Sequence, residues 1–255
     1  GHARGHAARR LPRMIERVYK KLGGGRAILY DTNIVQEPTP EYVDPDWWES
    51  QGAIEGSGER GRGEARFVRH GDAQWVLRHY HRGGQAAKVS DDRYLWLGAK
   101  RTRSVAEWRL LEWMTNKGRP VPHPVAAWYR RRGLLYTADI LVERIDPARS
   151  LTQALAAGGV SEEQWHAIGA CIRRFHDEGC FHADLNADNV LFGAEDAVVL
   201  IDWDRGKLLE TSRVWQQANL DRLMRSLVKR AGRIAEVDFD GSEWAHLIEG
   251  YEADE

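Results

Sequence analysis

Apolar and polar residues alternate through several short runs in the first half of the chain, a pattern that predicts β-strands. The runs "EARFVR" and "AQWVLRHY" lie on either side of "HGD" and predict a hairpin, while "AAWYRR" and "GLLYTADILVERI" predict a second one around Gly133. Between the hairpins, "SVAEWRLLEWMTNKG" has helical spacing and ends at Gly118, before a proline-rich stretch. We therefore predict a lobe of antiparallel strands with one main helix over residues 25–145.

The second half of the chain changes to helical spacing. The segment "SEEQWHAIGACIRRFHDEG" predicts a helix that begins after an N-cap at Ser161 and ends at Gly179. Further helices are predicted for "LTQALAAGG", "SRVWQQANLDRLMRSLVKRAG" and "GSEWAHLIEGYEADE". Residues 146–255 are thus predicted to form a mostly helical lobe, which places the whole chain in the α+β class.

Residues 11–22, "LPRMIERVYKKL", predict a basic amphipathic helix, and we assign residues 1–24 to a tail and this helix. Its apolar stripe would consist of Leu11, Met14, Ile15, Val18 and Leu22. Such a helix can pack on its own domain or lie on an anionic membrane surface, and the sequence leaves both possibilities open. His2 and His6 in the tail make a poor metal site.

Composition restricts the possible partners and compartment. The 255-residue chain has a formal net charge of −1, which gives no overall basic character for binding nucleic acid. Its two cysteines, Cys171 and Cys180, are too few for a disulfide framework and indicate reduced thiols in the cytoplasm. No apolar run approaches the roughly 20 residues that a membrane-spanning helix needs, so we expect neither export nor a membrane span.

The stretch "FHADLNADNVLF" carries the strongest chemical signal. Residues 190–192 and "VVLID" predict two strands joined by a turn at "GAED", which would bring Asn189 close to Asp202, with Asp184 on the preceding loop. Two carboxylates and one carboxamide are oxygen donors of the kind that Mg²⁺ prefers. For Asp188 and Asp204, a role as a turn residue and a role as a metal ligand both remain open.

These residues resemble the catalytic loop and metal-binding motif of the protein-kinase-like superfamily. The resemblance implies a bilobal kinase-like fold, in which Asp184 orients the substrate hydroxyl while Asn189 and Asp202 hold Mg²⁺ against the phosphates of ATP. His182 would then be a scaffold for the loop. The five-residue interval from Asp184 to Asn189 and the eighteen-residue interval to Asp202 match that superfamily.

The first half contains the other kinase-like residues. The sequence "GSGERG", with Gly56, Gly58 and Gly61, continues into a strand and therefore predicts a glycine-rich hairpin over nucleotide phosphates rather than a dinucleotide fingerprint. The superfamily pairs a strand lysine with a helical glutamate; here Glu107 matches the glutamate, and either Arg78 or Lys88 supplies the cation. The segment "LVERI" resembles the hinge, which implies adenine contacts by the backbone of Glu143 and Ile145.

The wider sequence resembles the 3-deoxy-D-manno-octulosonic acid (Kdo) kinases of the lipopolysaccharide core kinase family, through "WVLRHYHRGG", "VPHPVAA", "HADLNADNVL" and "VVLIDWDRG". The resemblance implies phosphorylation of the 4-hydroxyl of Kdo on the lipid A precursor by ATP. It also implies peripheral attachment at the cytoplasmic face of the bacterial inner membrane. For Arg82, Arg101 and Arg103, contact with the anionic acceptor and a solvated surface both remain open.

Two alternatives remain open. Another glycan or small-molecule kinase, such as a heptose kinase, would share the catalytic residues and differ in its acceptor. A pseudokinase that binds nucleotide without transfer would be consistent with Arg78 in place of lysine, but not with the intact Asp184, Asn189 and Asp202.

Overall fold

A computed structural model of the protein describes residues 14–57, 65–81 and 92–253. The strands are β1 (Arg17–Gly23), β2 (Arg26–Asp31), β3 (Ile54–Ser57), β4 (Arg66–His70), β5 (Ala73–His79), β6 (Tyr94–Leu95), β7 (Pro124–Arg132), β8 (Leu135–Glu143), β9 (Arg149–Ser150), β10 (Cys180–Phe181), β11 (Val190–Phe192), β12 (Val198–Leu200) and β13 (Lys207–Leu208). The helices are α1 (Pro45–Ser50), α2 (Arg103–Asn116), α3 (Leu151–Ala156), α4 (Glu162–Asp177), α5 (Arg213–Ala231) and α6 (Trp244–Glu252).

The N-terminal half is built on one antiparallel sheet with the strand order β1-β2-β7-β8-β5-β4-β3, to which β6 is added beside β8. Side chains alternate between its two faces, as the sequence pattern predicts. One face, with Leu29 and Ile140, packs against α2; the other, with Ile28 and Leu141, packs against Trp48 of α1. Together with the helical second half, this sheet confirms the predicted α+β class and is consistent with a bilobal kinase-like fold.

The prediction of an amphipathic helix in residues 11–22 is wrong for its described part, because residues 17–23 form the edge strand β1. This strand pairs with β2 from Arg17 opposite Asp31 to Gly23 opposite Arg26. Gly24 and Gly25 both have positive φ and make the tight turn between the strands. Pairing with β2 supplies the backbone hydrogen bonds that the helix would otherwise provide, so this tertiary contact overrides the weak helical periodicity. Residues 11–13 lie outside the described residues.

In the second half, α4 begins as predicted with a capping box, in which the Ser161 side chain accepts from the N–H of Gln164 and the Gln164 side chain accepts from the N–H of Ser161. After α4, Gly179 has a φ of 75°, and a Cβ there would lie 2.1 Å from the carbonyl oxygen of Leu209. Only glycine fits this close approach, which leads the chain into the loop before β11.

A continuous apolar core joins the two halves, since α2 and the inner sheet face pack in the same cluster as α4 and α5. It includes Trp108 and Met114 from the first half and Trp165 and Leu223 from the second. None of the described helices is both long and apolar enough to cross a membrane. The boundary between lobes near residue 145 remains a prediction.

Candidate active site

The loop between β10 and β11 is fixed by hydrogen bonds to its backbone. Asn219 of α5 is buried; its side-chain oxygen accepts from the His182 N–H, and its amide donates to the His182 carbonyl. The imidazole of His182 is also buried, and its two nitrogens bond in opposite senses. Nδ1 accepts from the N–H of Asp184 at 3.1 Å, whereas Nε2 donates to the carbonyl of Ile201 at 3.0 Å.

These contacts define a neutral imidazole with its proton on Nε2, because a carbonyl can only accept and a backbone N–H can only donate. Burial lowers the pKa of His182 and stabilises that neutral state. The ring packs at 4.5 Å from that of Trp203, which is itself buried. His182 therefore ties the loop to the segment after β12, which agrees with the expected scaffold role.

Asp184 projects from this fixed loop with a side chain that is 51% exposed. Its Oδ1 accepts from Arg222 Nη1 at 3.2 Å, and its Oδ2 accepts from the Asn186 amide at 3.1 Å. The buried Asn189 holds the backbone of the same residue by donating from Nδ2 to its carbonyl oxygen at 2.9 Å. The carboxylate is thus oriented from two sides while it stays accessible to a substrate.

The hairpin of β11 and β12 brings Asn189 and Asp202 to the same end of the pair, as the sequence predicts. Val190 pairs with Leu200, and the N–H of Ile201 donates to the carbonyl of Asn189 at 3.0 Å. Asp202 follows directly with a φ of 62°, which turns the chain sharply after the strand. The side-chain NH₂ group of Asn189 donates to the Asp184 carbonyl. The side-chain oxygen of Asn189 and the carboxylate of Asp202 are then the oxygen donors that fit a hard cation.

Arg78 of β5 contacts two of the three acidic residues that the kinase pattern singles out, Glu107 and Asp202. Its Nη2 donates to Glu107 Oε1 at 2.5 Å and Oε2 at 2.6 Å, and its Nη1 donates to Asp202 Oδ1. Burial alone would lower the pKa of Arg78, but the carboxylates of Glu107 and Asp202 outweigh it and raise that pKa. The predicted pair of Arg78 and Glu107 is therefore present; Lys88 lies outside the described residues.

Tyr80 completes the environment of Glu107, which is 4% exposed. Its hydroxyl donates to Glu107 Oε2 at 2.6 Å, and burial raises the pKa of Tyr80 well above its usual value, so that the hydroxyl keeps its proton. Burial also raises the pKa of Glu107, while Arg78 and the Tyr80 hydroxyl act in the opposite direction. Tyr80 follows Arg78 by two positions, the strand period that could have identified it from sequence.

Two other residues singled out from the sequence, Arg103 and Asp188, have contacts different from those expected, whereas Cys180 is a buried thiol as expected. Arg103, at the start of α2, was a candidate for contact with the acceptor. Its guanidinium forms an ion pair with Asp204. Asp188 is neither a solvated turn residue nor placed with the oxygen donors, because it accepts from Thr152 at 2.6 Å and from Arg230. Cys180 is buried, and burial raises the pKa of its thiol to about 12, which leaves it protonated.

Only some of the other residues predicted to bind nucleotide lie in the part of the chain that the structure describes. Gly56 lies on β3 with a φ of 155°, while Gly58 and Gly61 lie outside the described residues. Glu143 ends β8, and its N–H donates to the carbonyl of His123 at 2.8 Å. Ile145 follows it in the connection to the helical half and lies beside Gly193.

The sequence of this chain matches the model of a known protein family. The sequence model described as the Lipopolysaccharide kinase (Kdo/WaaP) family matches residues 45–251. This range contains Arg78, Glu107, Asp184, Asn189 and Asp202.

The chain is also similar to curated proteins over most of its length. A protein of Stenotrophomonas maltophilia (strain R551-3) named 3-deoxy-D-manno-octulosonic acid kinase is 47% identical over 207 residues, covering 81% of this chain and 82% of that protein. Proteins with the same name from Xanthomonas axonopodis pv. citri and Photobacterium profundum are 43% and 40% identical. They cover 92% and 88% of this chain, and 92% and 94% of their own lengths.

Acidification should destabilise the loop through His182. Because its folded pKa is lowered below the unfolded value of about 6.5, the unfolded chain binds a proton that the folded chain excludes, and the free energy of unfolding falls as the pH drops through that value. In nitrogen-15 NMR at pH 6.5, where an ordinary imidazole is about half protonated, the imidazole signals that disappear in His182→Gln should report a mainly neutral ring protonated at Nε2. A mainly protonated ring at this pH would contradict the assignment.

Proposed function

Because this chain belongs to the lipopolysaccharide kinase (Kdo/WaaP) family and is a phosphotransferase that acts on a hydroxyl group, we propose that it transfers the γ-phosphoryl group of ATP to the 4-hydroxyl of Kdo on the lipid A precursor. This reaction would be a step of lipopolysaccharide core biosynthesis. The observation that carries the proposal is the single site formed by the accessible Asp184 and by Asp202 bound to Arg78. The names of the three relatives support the choice of Kdo as the acceptor sugar.

Asp184 is the group that would orient the acceptor hydroxyl and accept its proton. Its position on a loop fixed by His182 and Asn189 supports this role, because general base catalysis depends on a carboxylate held at hydrogen-bond distance from the reacting hydroxyl. Phosphoryl transfer otherwise needs alignment and neutralised charge more than covalent chemistry.

Arg222 adds a cation beside Asp184 that the sequence did not single out. Its guanidinium is 48% exposed and lies 3.2 Å from Asp184 Oδ1. A guanidinium forms strong, directional hydrogen bonds with carboxylates and phosphates. We assign it to the carboxylate of Kdo, in the place of Arg103, whose guanidinium is paired with Asp204.

Asn189 and Asp202 are the residues that would hold Mg²⁺, since both offer oxygen donors at the end of the β11–β12 hairpin. The ion would neutralise charge on the phosphates when it is bound. Arg78 now bonds to Asp202, and its guanidinium can exchange that carboxylate for a phosphate while it keeps Glu107. The adenine ring would lie against the backbone of Glu143 and Ile145, beneath the glycine-rich segment that includes Gly56.

A membrane-embedded acceptor requires the enzyme to reach the cytoplasmic face of the inner membrane, and an exposed leucine patch supports such peripheral attachment. The leucine patch consists of Leu95, Leu97 and Leu134, which are 56%, 61% and 74% exposed. The three are close together because the N–H of Trp96 donates to the Leu134 carbonyl at 2.8 Å. Large apolar side chains clustered at the surface are typical of membrane or protein contacts.

The charge around the leucine patch favours an anionic lipid surface over a neutral partner. Exposed cations lie just before β6, on the connection from β6 to α2, and at the end of β7: Arg93, Lys100, Arg101, Arg130, Arg131 and Arg132. Each cation near an acidic leaflet contributes about 1 kcal/mol of binding. Arg103, the partner of Asp204, also donates to the hydroxyl of Tyr94, the residue beside Leu95. Lipid contact would therefore occur on the side of the molecule that leads to the candidate active site.

Transfer of labelled γ-phosphate from ATP to Kdo-bearing lipid A precursor, with Mg²⁺, tests the proposed reaction. We expect wild-type transfer, and a fall of about 10²–10⁴-fold in kcat for Asp184→Asn because the positioned base is lost. Asp202→Ala should abolish the Mg²⁺-dependent rate. Asp196→Asn, a change of an exposed aspartate in the turn between β11 and β12, is the matched control and should keep wild-type activity.

Two outcomes would contradict this assignment. Near-normal turnover by folded Asp184→Asn would remove the proposed base. Transfer to heptose acceptors but not to Kdo would place the chain with another glycan kinase, and nucleotide binding without transfer to any glycan would indicate a pseudokinase.

The choice of cation is tested by Arg78→Gln, Arg78→Lys and Lys88→Gln. Loss of a charged hydrogen bond costs about 1.5–3 kcal/mol, so Arg78→Gln should lower kcat/KM for ATP by about 10–100-fold. Arg78→Lys keeps the charge but cannot bond to two carboxylates as the planar guanidinium does. It should therefore lower kcat/KM for ATP by less. Steady-state kinetics with varied ATP would contradict the assignment if Lys88→Gln, rather than Arg78→Gln, caused the loss.

Vesicle sedimentation tests the leucine patch. Leu95→Ser combined with Leu134→Ser should reduce binding to phosphatidylglycerol-containing vesicles, because less apolar surface enters the membrane interface. The matched control is Val214→Ser combined with Val228→Ser on α5, which removes two other exposed apolar side chains, 80% and 58% exposed. Equal loss in both double variants, or no loss in the first, would contradict a role of this patch.

A further inference from the structure

Helices α4 and α6 approach each other closely at two glycines. A Cβ on Gly169 of α4 would lie 2.0 Å from the Leu247 carbonyl oxygen, and a Cβ on Gly250 of α6 would lie 2.2 Å from the His166 carbonyl oxygen. Real side chains do not fit at these distances, so the two backbones are in direct contact. Side chains at the edge of this contact are therefore held at close range.

Four potential metal ligands meet at that edge. Glu162 and His166 lie four residues apart on α4, and His246 and Glu249 lie three residues apart on α6, spacings that place each pair on one helix face. One ligand atom from each of Glu162, His166 and His246 lies within 4.8 Å of the others. Among the described residues, no other group of three or more such side chains comes this close together.

Three separations between these side chains are close to those expected of ligands around a common ion. Zinc ligands about 2.0–2.1 Å from the metal lie about 3.3–3.4 Å apart in a tetrahedron. Here His166 Nε2 is 3.1 Å from Glu249 Oε2, while His246 Nδ1 is 3.6 Å from Glu249 Oε2 and 3.7 Å from Glu162 Oε1. His246 Nδ1 is shielded from solvent and has no hydrogen-bond partner among the described residues.

We propose that Glu162, His166, His246 and Glu249 form a zinc site that fastens the C-terminal helix α6 to α4. Two imidazoles and two carboxylates favour Zn²⁺ over Mg²⁺, which prefers an all-oxygen shell. Four protein ligands are typical of a structural zinc rather than a catalytic one. The site lies at the N-terminal end of α4, whereas the C-terminal end leads into the loop that carries Asp184, so it is separate from the catalytic Mg²⁺ donors.

Equilibrium dialysis of the chelator-treated full chain against zinc chloride tests the proposal. We expect one equivalent of zinc that is lost in His166→Ala and in His246→Ala. The double variant His2→Ala with His6→Ala is the matched control, since it removes two other histidines, and it should retain the equivalent. Cobalt chloride should give the intense visible absorption of tetrahedral Co²⁺ in wild type and in the control.

The expected binding is also a stability effect, because a ligand of the folded state raises Tm. Zinc should raise the Tm of wild type and of the control, but not that of His166→Ala. Glu162→Gln, a conservative change at an exposed position, keeps the test valid if a histidine variant misfolds, and it should weaken zinc binding. The proposal is overturned if wild type binds no zinc, if all variants bind it equally, or if only the His2 and His6 variant loses it.

Discussion

The arrangement of the candidate active site depends on one guanidinium shared between two carboxylates. Arg78 on the sheet bonds to Glu107 on α2 and to Asp202 after β12, three segments that are far apart in the chain. Two carboxylates this close would repel each other without the cation between them. Loss of the cation would leave the carboxylate of Glu107, which is 4% exposed, without a charged partner in a buried position. This triad therefore links α2 and the segment after β12 to the same strand of the sheet.

The second half shows a division between fixed and accessible groups. His182, Asn189 and Asn219 are all buried, and their side chains bond to the backbone of the loop and, through His182 Nε2, to the carbonyl of Ile201. Asp184 alone extends from this frame toward solvent. A reactive carboxylate on a stiff support loses little freedom when the substrate binds, which is the main physical requirement of a reaction that depends on alignment.

Local signals explain which features could be predicted from the sequence. The strand alternation around Arg78, the apolar spacing of α2 and the N-cap at Ser161 each depend on a few neighbouring residues, and the structure confirms them. The closeness of Asn189 and Asp202 was also predictable, because a short hairpin joins them. The roles of these residues remain predictions.

Long-range contacts account for what sequence reasoning missed. The periodicity of residues 11–22 favoured a helix, but pairing of β1 with β2 decided the outcome. The ion pair of Arg103 with Asp204 joins residues 101 positions apart, and Arg222 reaches Asp184 across 38 positions. The periodicity of a short stretch of sequence cannot reveal contacts between residues so far apart. The continuous core that contains Trp108 and Trp165 is also a long-range contact, and it affects folding during synthesis. On the ribosome, α2 and the inner sheet face emerge before α4 and α5, so the core that they share stays incomplete until those helices follow. The two halves are thus expected to become stable together, after translation of the C-terminal helices, rather than one after the other.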